Sequence, residues 1–160
     1  MTGTMQQGRG AVHIRERYDT DIDDLWSALT DPRRLTRWIG EVDGDLRPGG
    51  QFRARLFASG WEGTGRVAAC EPPRRWLVRA QGPDDPAEHA VEATLTADGD
   101  HTLLVLEERG IPLDQLAAYA AGHQVHVEDL ADYVAGRGRG DRQARWFELF
   151  PRYQALLSEG

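Results

Sequence analysis

Cysteine is nearly absent from this chain, and lysine is absent altogether. Cys70 is the only cysteine among 160 residues, which excludes an intrachain disulfide and a zinc site built from cysteines. All 19 basic residues are arginine, and 26 acidic residues outnumber them to give a formal net charge of −7. Because such an acidic chain offers no basic footprint for a phosphate backbone, we expect no nucleic acid partner.

Long apolar runs and targeting signals are lacking too. No stretch approaches the roughly 18 uninterrupted apolar residues that a membrane helix requires. Residues 1–10 are polar and glycine-rich and lack the apolar run of a secretory signal, so they are predicted to form a flexible tail. Residues 11–160 are predicted to form a single domain with one core, since the chain is 40% hydrophobic. We therefore expect a cytoplasmic protein with no membrane partner.

The motifs of several enzyme classes are missing as well. The sequence has no glycine-rich phosphate loop, Gly-x-Ser-x-Gly elbow or His-Glu-x-x-His pair, so nucleotide-dependent, serine-hydrolase and zinc-protease chemistries lose their usual support. We expect no cofactor, and a non-catalytic role is favoured while an enzymatic one stays open. His123, His126 and Asp129 span about 120° of the circumference of a predicted helix, which is too wide for one metal ion unless the sheet contributes. No metal site is predicted.

Hydrophobic periodicity divides the chain into an ordered set of elements. Residues 12–18 alternate as a strand, and residues 19–29 show helical spacing behind a cluster of aspartates that favours a helix start. A second short helix begins at Asp31-Pro32. From residue 41 to about 109, period-two patterns are broken by glycine, proline and aspartate clusters and predict six further strands.

The C-terminal third returns to helical spacing. A long helix is predicted from residue 113 to about Gly136. Asp141 then caps a last amphipathic piece, which Pro151 is expected to kink or divide. The predicted class is α+β, with about seven antiparallel strands, two short helices after strand one, and a long terminal helix that covers the apolar face of the sheet.

The predicted interior contains small residues and two carboxylate positions. Small inward positions favour a pocket between sheet and helix. The tryptophans are able to fill the same space and give a solid core, so both alternatives stay open. The small positions are Ala54, Gly63, Gly65, Ala69, Ala80 and Ala93. Glu16 falls on the apolar face of strand one, and either Glu107 or Glu108 points inward on the last strand. A buried carboxylate needs a partner, for which His89, His123, His126 or an arginine is available, unless these residues are solvated at the rim.

Four motifs in a fixed order resemble those of a known superfamily. The stretch Leu25–Pro32 reads Leu-Trp-Ser-Ala-Leu-Thr-Asp-Pro and is followed by Trp38. The other three are the Arg-Pro-Gly-Gly turn within Asp45–Phe52, the pair Gly65–Val67 and Glu71–Trp76, and the stretch Gly122–Gly136. Together they resemble the SRPBCC, or START-like, superfamily, and within it the branch named for the activator of the heat-shock chaperone ATPase. His123 is a departure, because many relatives have tryptophan there.

The resemblance implies a helix-grip fold, in which a curved sheet wraps around a long C-terminal helix and encloses a cavity. The implied function is binding of a small hydrophobic ligand, such as a lipid, a polyketide or another aromatic metabolite. The candidate ligand-binding residues are Glu16, Trp38, Phe52, Trp61, Trp76, His89, Tyr119, His123 and His126. Because fold alone does not fix function, two alternatives stay open: an aromatase-like or cyclase-like enzyme that uses a cavity histidine or glutamate, and a chaperone-associated or regulator-associated partner protein. A homodimer is also open.

Overall fold

The computed structural model describes residues 2–6, 9–58, 60–82, 88–137 and 141–158, and over these residues one antiparallel sheet packs against helices. The strands are β1 Thr2–Gln6, β2 Arg9–Tyr18, β3 Gly40–Gly44, β4 Gln51–Leu56, β5 Glu62–Glu71, β6 Arg75–Gln81, β7 His89–Asp98 and β8 His101–Pro112. Their spatial order is β1-β2-β8-β7-β6-β5-β4-β3. The helices are α1 Ile22–Thr30, α2 Pro32–Leu35, α3 Leu116–Val134 and α4 Arg142–Ser158. The predicted α+β helix-grip class is confirmed.

The N-terminal strand β1 is the difference from the predicted strand count. Residues 1–10 were expected to form a flexible tail, but Thr2–Gln6 pairs antiparallel with Arg9–His13 at the edge of the sheet. A polar strand is stable at this position because the ladder hydrogen bonds are made by the backbone, and one face of an antiparallel sheet tolerates solvent. The tail prediction is therefore wrong for the described part of this segment, and the described residues form a sheet of eight strands.

The two predicted short helices form where the aspartates indicated. Asp21 caps α1, its carboxylate accepting from the backbone N–H of Asp24 at 2.8 Å. Asp31 caps α2 in the same way through Arg33, with Pro32 at the first helical position. Both caps satisfy backbone donors that a helix start leaves without a partner.

The terminal helical region is a pair of helices. A single 3-10 turn joins β8 to α3, and α3 runs for 19 residues. The final helix α4 continues through Pro151, so of the two expected outcomes, a kink or a division, the division does not occur. Leu149 and Tyr153, on either side of the proline, are both buried in the apolar contact with α3, and this packing holds the two halves of α4 together.

Two apolar clusters make up the core. The tryptophan cluster joins α1, α2 and the second half of α3 to the sheet and comprises Ile14, Tyr18, Leu25, Ala28, Leu35, Trp38, Val67, Trp76, Val78, Ala93, Leu95, Leu104, Val127 and Leu130. The helix-pair cluster joins α4 and the first half of α3 to β2 and β8 and comprises Val12, Ala58, Ile111, Leu116, Ala120, Ala121, Val125, Leu149 and Tyr153. Between them, the sheet and α3 hold a set of polar side chains.

Candidate functional site

The polar layer lies between the two apolar clusters and consists of His89, Glu108, Tyr119, His123 and His126. Strand alternation turns Glu108 inward, because it lies four residues after Leu104 of β8, which is buried in the tryptophan cluster. Its register partners, Val91 and Val12, flank it on β7 and β2. His123 and His126 project from α3 one turn apart.

Glu108 is the centre of a buried hydrogen-bonded triad. Glu108 is only 5% exposed, and its two carboxylate oxygens contact different imidazoles. His89 Nδ1 lies 2.8 Å from Oε2, and His123 Nε2 lies 2.6 Å from Oε1. These short contacts join β7, β8 and α3 through one carboxylate, as a buried charge requires.

The charge of Glu108 fixes which imidazole nitrogens carry protons. Burial alone would raise the pKa of Glu108, but the hydrogen bonds from His123 and His89 outweigh burial and lower it to about 2. The side chain is therefore an ionised carboxylate at neutral pH and accepts hydrogen bonds only. It follows that His89 Nδ1 and His123 Nε2 are both protonated and donate to it.

His126 is a neutral member of the layer. Burial is the main cause that lowers its pKa to about 3. Its ring lies edge-on to that of His123, with 6.0 Å between the ring centres. Tyr119 extends the layer on the other side, 5.3 Å from the ring of His89.

Two nitrogens of the polar layer lack a protein partner. Over the described residues, His123 Nδ1 and His126 Nε2 are buried and make no hydrogen bond. The exposed fraction is 11% for the His123 side chain and 6% for residue His126. A buried polar atom without a partner costs about 1–3 kcal/mol, so such atoms mark a place where another molecule is able to bind.

A buried ion pair flanks the layer. Arg142 is at the start of α4, and its Nε lies 3.0 Å from Oδ2 of Asp129 on α3. Both side chains are only 8% exposed. The guanidinium of Arg142 also lies over the ring of Phe57, 5.0 Å from its centre. The pair therefore ties the beginning of α4 to α3 and to the loop after β4, and it keeps this side of the layer electrically neutral.

Aromatic rings cover the small residues of the sheet's inner face. The ring of Phe52 contacts the position that a side chain on Gly65 would occupy, and Trp61 does the same at Gly63. Only glycine leaves room for these rings. Both aromatic residues are half-buried, so they form an accessible apolar wall. The small inward positions therefore admit Phe52 and Trp61 rather than leaving the whole space empty.

Two open clefts lie on the opposite, outer face of the sheet. Their volumes are about 640 and 790 Å³, and both are lined by Asp43, Arg53, Thr64 and Gln81. Alternation along β3 to β6 places these side chains on the face away from α3. The clefts are therefore separate from the polar layer, and their mixed charges resemble an ordinary solvated surface.

Comparison with known families identifies the family of this chain. Residues 19–135 match the family described as "Activator of Hsp90 ATPase homolog 1-like protein". The chain belongs to this family. Its membership confirms the predicted resemblance, and a comparison with the curated proteins found no match.

Solved structures of this fold include two relatives of appreciable identity. CalU16 from Micromonospora echinospora is 32% identical with a TM-score of 0.77, over 93% of this chain and 89% of that chain. DynU16, a protein in the dynemicin biosynthetic locus, is 30% identical with a TM-score of 0.73, over 82% of this chain and 50% of that chain. An Hsp90 activator from Plasmodium falciparum is 24% identical with a TM-score of 0.56, over 64% and 74%, and shows the fold alone.

Within this family member, four of the nine predicted site residues come together. His89, Tyr119, His123 and His126 form the polar layer around Glu108, which was one of two glutamates predicted to point inward. Phe52 lies on the inner face of β4, and Trp61 directly precedes β5. Over the described residues, no group of three or more potential ligands is arranged to hold a metal ion. The helices in the described part of the chain are too short or too polar to cross a membrane.

The remaining three predicted site residues lie elsewhere. Trp38 is 3% exposed, and its Nε1–H donates to the carbonyl of Ala28 at 3.0 Å inside the tryptophan cluster. Trp76 is also buried there, edge-on to Trp26. Glu16 pairs in register with the buried Leu104, as its place on the apolar face of the strand predicted, but its side chain is exposed and accepts from the backbone N–H of Arg17. This agrees with the alternative of a solvated rim position and not with a place in the buried site. A carboxylate without a buried partner is more stable in water.

Sequence reasoning missed the ion pair between Asp129 and Arg142. Asp129 was considered only as a metal ligand, and Arg142 was not singled out. No local pattern connects them, because their contact depends on how α4 packs against α3. The available signal was weak: Arg142 directly follows the helix cap Asp141, a position where a buried arginine is unusual.

Proposed function

We propose that this protein binds a small, mostly apolar molecule between the sheet and α3, with its polar group at the polar layer. The observation that carries the proposal is the pair of buried nitrogens, His123 Nδ1 and His126 Nε2, without partners among the described residues. A ligand that supplies a hydrogen bond there would remove a desolvation cost that the folded chain otherwise bears.

The inner face of the sheet offers an approach to this site. Phe52, Gly65, Ala80 and His89 are successive register partners, so they form one row across β4, β5, β6 and β7. The first three are half-buried and the last is buried. An apolar molecule that packs on the Phe52 end of this row would bring its polar end toward the imidazoles, a combination of apolar wall and few polar groups that is typical of small-molecule sites.

The relatives support the same class of ligand. DynU16 is described as a protein of a biosynthetic locus, and a small biosynthetic molecule is a suitable occupant for a site with an aromatic wall. The lipid and polyketide classes named by the sequence analysis both meet the requirement for an apolar body. The cytoplasmic location and the homodimer stay predictions, which fractionation and sedimentation would test.

Retention of ligands by the purified protein tests the proposal. The protein would be incubated with a mixture of lipids and aromatic metabolites and analysed by native mass spectrometry. We expect one bound molecule per chain in the wild type and loss of retention in His126→Phe, with His101→Phe, at a half-exposed surface histidine, as the matched control. Equal retention by all three proteins would contradict the proposed place, and no retention by the wild type would contradict the function.

General acid–base catalysis is a second candidate, favoured by the contact between Glu108 and His123. A carboxylate that holds one imidazole nitrogen at 2.6 Å and leaves the other facing the interior is the arrangement of an oriented general base. Deuterium exchange at the acidic methylene of 2-tetralone, followed by NMR, tests it. We expect acceleration over buffer that falls by about 10²-fold or more in His123→Asn. No acceleration by the wild type would contradict catalysis of this proton transfer.

A further inference from the structure

We infer that the polar group recognised by this site is a hydroxyl of the phenol or enol type, and that a carboxylate is excluded. The inference rests on the proposed function, because it specifies the chemistry of the same site. It follows from three properties of the polar layer: the tautomer that Glu108 imposes on His123, the arrangement of His126 beside it, and the net charge of the buried groups.

The first property is that His123 offers an acceptor. Glu108 accepts at 2.6 Å from His123 Nε2, which must therefore carry a proton. We assign His123 the neutral form, in which the other nitrogen, Nδ1, carries a lone pair. This nitrogen is buried and has no partner among the described residues, so the complementary group on a ligand must donate a hydrogen bond.

The second property is the neighbouring His126. Its Nε2 is also buried without a partner, and its ring centre lies 6.0 Å from that of His123. A hydroxyl both donates and accepts, so it is able to donate to His123 Nδ1 and accept from His126 when that ring is protonated at Nε2. A carbonyl or ether oxygen only accepts and would leave His123 Nδ1 without a hydrogen bond.

The third property is the charge of the surroundings. Asp129 and Arg142 neutralise each other, whereas Glu108 is a buried negative charge held by two imidazoles. A carboxylate ligand would bring a second negative charge beside Glu108 and would face the lone pair of His123 Nδ1. Both effects oppose binding in a medium of low polarity.

A matched trio of ligands tests the inference. The affinities of 2-naphthol, 2-methoxynaphthalene and 2-naphthoate would be measured by calorimetry at pH 7.5 with the full chain. We expect 2-naphthol to bind about tenfold or more tightly than its methyl ether, since the ether leaves a buried acceptor without a donor. The naphthoate should bind more weakly still. In His123→Phe the preference for the naphthol should disappear, while His101→Phe should retain it.

The outcomes separate this inference from the proposed function. Equal binding of all three compounds, or tightest binding of the naphthoate, would overturn the hydroxyl inference and leave ligand binding intact. Failure of all three to bind would overturn both. If His123→Phe does not fold, the ¹⁵N resonance of His123 Nδ1 in the wild type replaces it as the readout. A shift on addition of 2-naphthol, absent with the methyl ether, supports the inference, and an unchanged resonance overturns it.

Discussion

The tryptophan cluster and the polar layer occupy the same space between sheet and helices, yet they are completed in different ways. In the tryptophan cluster, Trp38 is buried with its one polar atom bonded to Ala28, and Trp76 packs edge-on against Trp26. In the polar layer, a buried carboxylate binds two imidazoles, and two ring nitrogens have no partner within the part of the chain that the structure describes. The difference indicates that the first region stabilises the fold, whereas the second retains polar atoms that stability alone does not require.

Among the substitutions that test this comparison, removal of Glu108 is expected to lower the free energy of unfolding most. Glu108→Ala leaves the N–H groups of His89 and His123 buried without an acceptor, and breaking a buried ionic group in this way costs about 3–5 kcal/mol. Glu107→Ala is the matched control, because Glu107 is adjacent, partly exposed and paired only with surface groups, so its loss should cost less than about 1 kcal/mol. Urea denaturation measures both. A similar cost for the two variants would show that the polar layer contributes no more than the surface does.

Acidification should destabilise the polar layer next most strongly. His126 has a pKa of about 3 in the folded protein and about 6.5 when unfolded, so the unfolded chain takes up its proton first as the pH falls. Stability is therefore complete above pH 6.5 and is lost progressively toward pH 3, by up to about 1.4 kcal/mol per pH unit. Below pH 4.5 Glu108 adds a loss of the same sign, because its folded pKa of about 2 also lies below the unfolded value.

The variant His126→Phe isolates this effect. It removes the titrating ring, so the slope of unfolding free energy against pH between 6.5 and 4.5 should decrease. His101→Phe, at a surface position, serves as the control. Denaturant titrations at several pH values provide the measurement, and an identical slope in His126→Phe and the wild type would mean that His126 is protonated as readily when folded as when unfolded.

A substitution in the tryptophan cluster should have a smaller effect and only on stability. Trp38→Phe keeps most of the buried ring but removes the N–H that bonds the carbonyl of Ala28, at a cost of about 1–2 kcal/mol. Affinity for 2-naphthol should not change by more than about twofold, because a substitution distant from the polar layer is expected to change the binding free energy there by less than about 0.5 kcal/mol. A tenfold loss of affinity would place Trp38 in the site and break the division between the two regions.

The fold followed from the sequence because its patterns are local. Alternation along Gln51–Leu56 and the aspartate caps before α1 and α2 each indicate an element without reference to the rest of the chain. The strand β1 could not be predicted from the sequence, because its pairing uses backbone groups and leaves no apolar pattern. The division of α4 that Pro151 allowed does not occur for a related reason: packing of Leu149 and Tyr153 outweighs the local preference of proline.

The site was predictable only in part. Alternation required one of Glu107 and Glu108 to point inward, and the register of β8 against β2 decides that it is Glu108. The same rule assigned Glu16 to the inner face but could not show that its carboxylate reaches solvent. For the tryptophans, a face is predictable from sequence, whereas the distance to the opposing helix is not. Asp129 and Arg142 meet only through the packing of α4 on α3.

A crystal structure with 6-bromo-2-naphthol tests the central claim most directly, because bromine gives an anomalous signal that locates the ligand independently of the protein. We predict one bromine peak between the sheet and α3, on the side of Phe52, with the naphthol oxygen within hydrogen-bond distance of His123 Nδ1. A peak confined to the outer clefts lined by Arg53, or an interior filled by repacked side chains with no bromine signal, would contradict it.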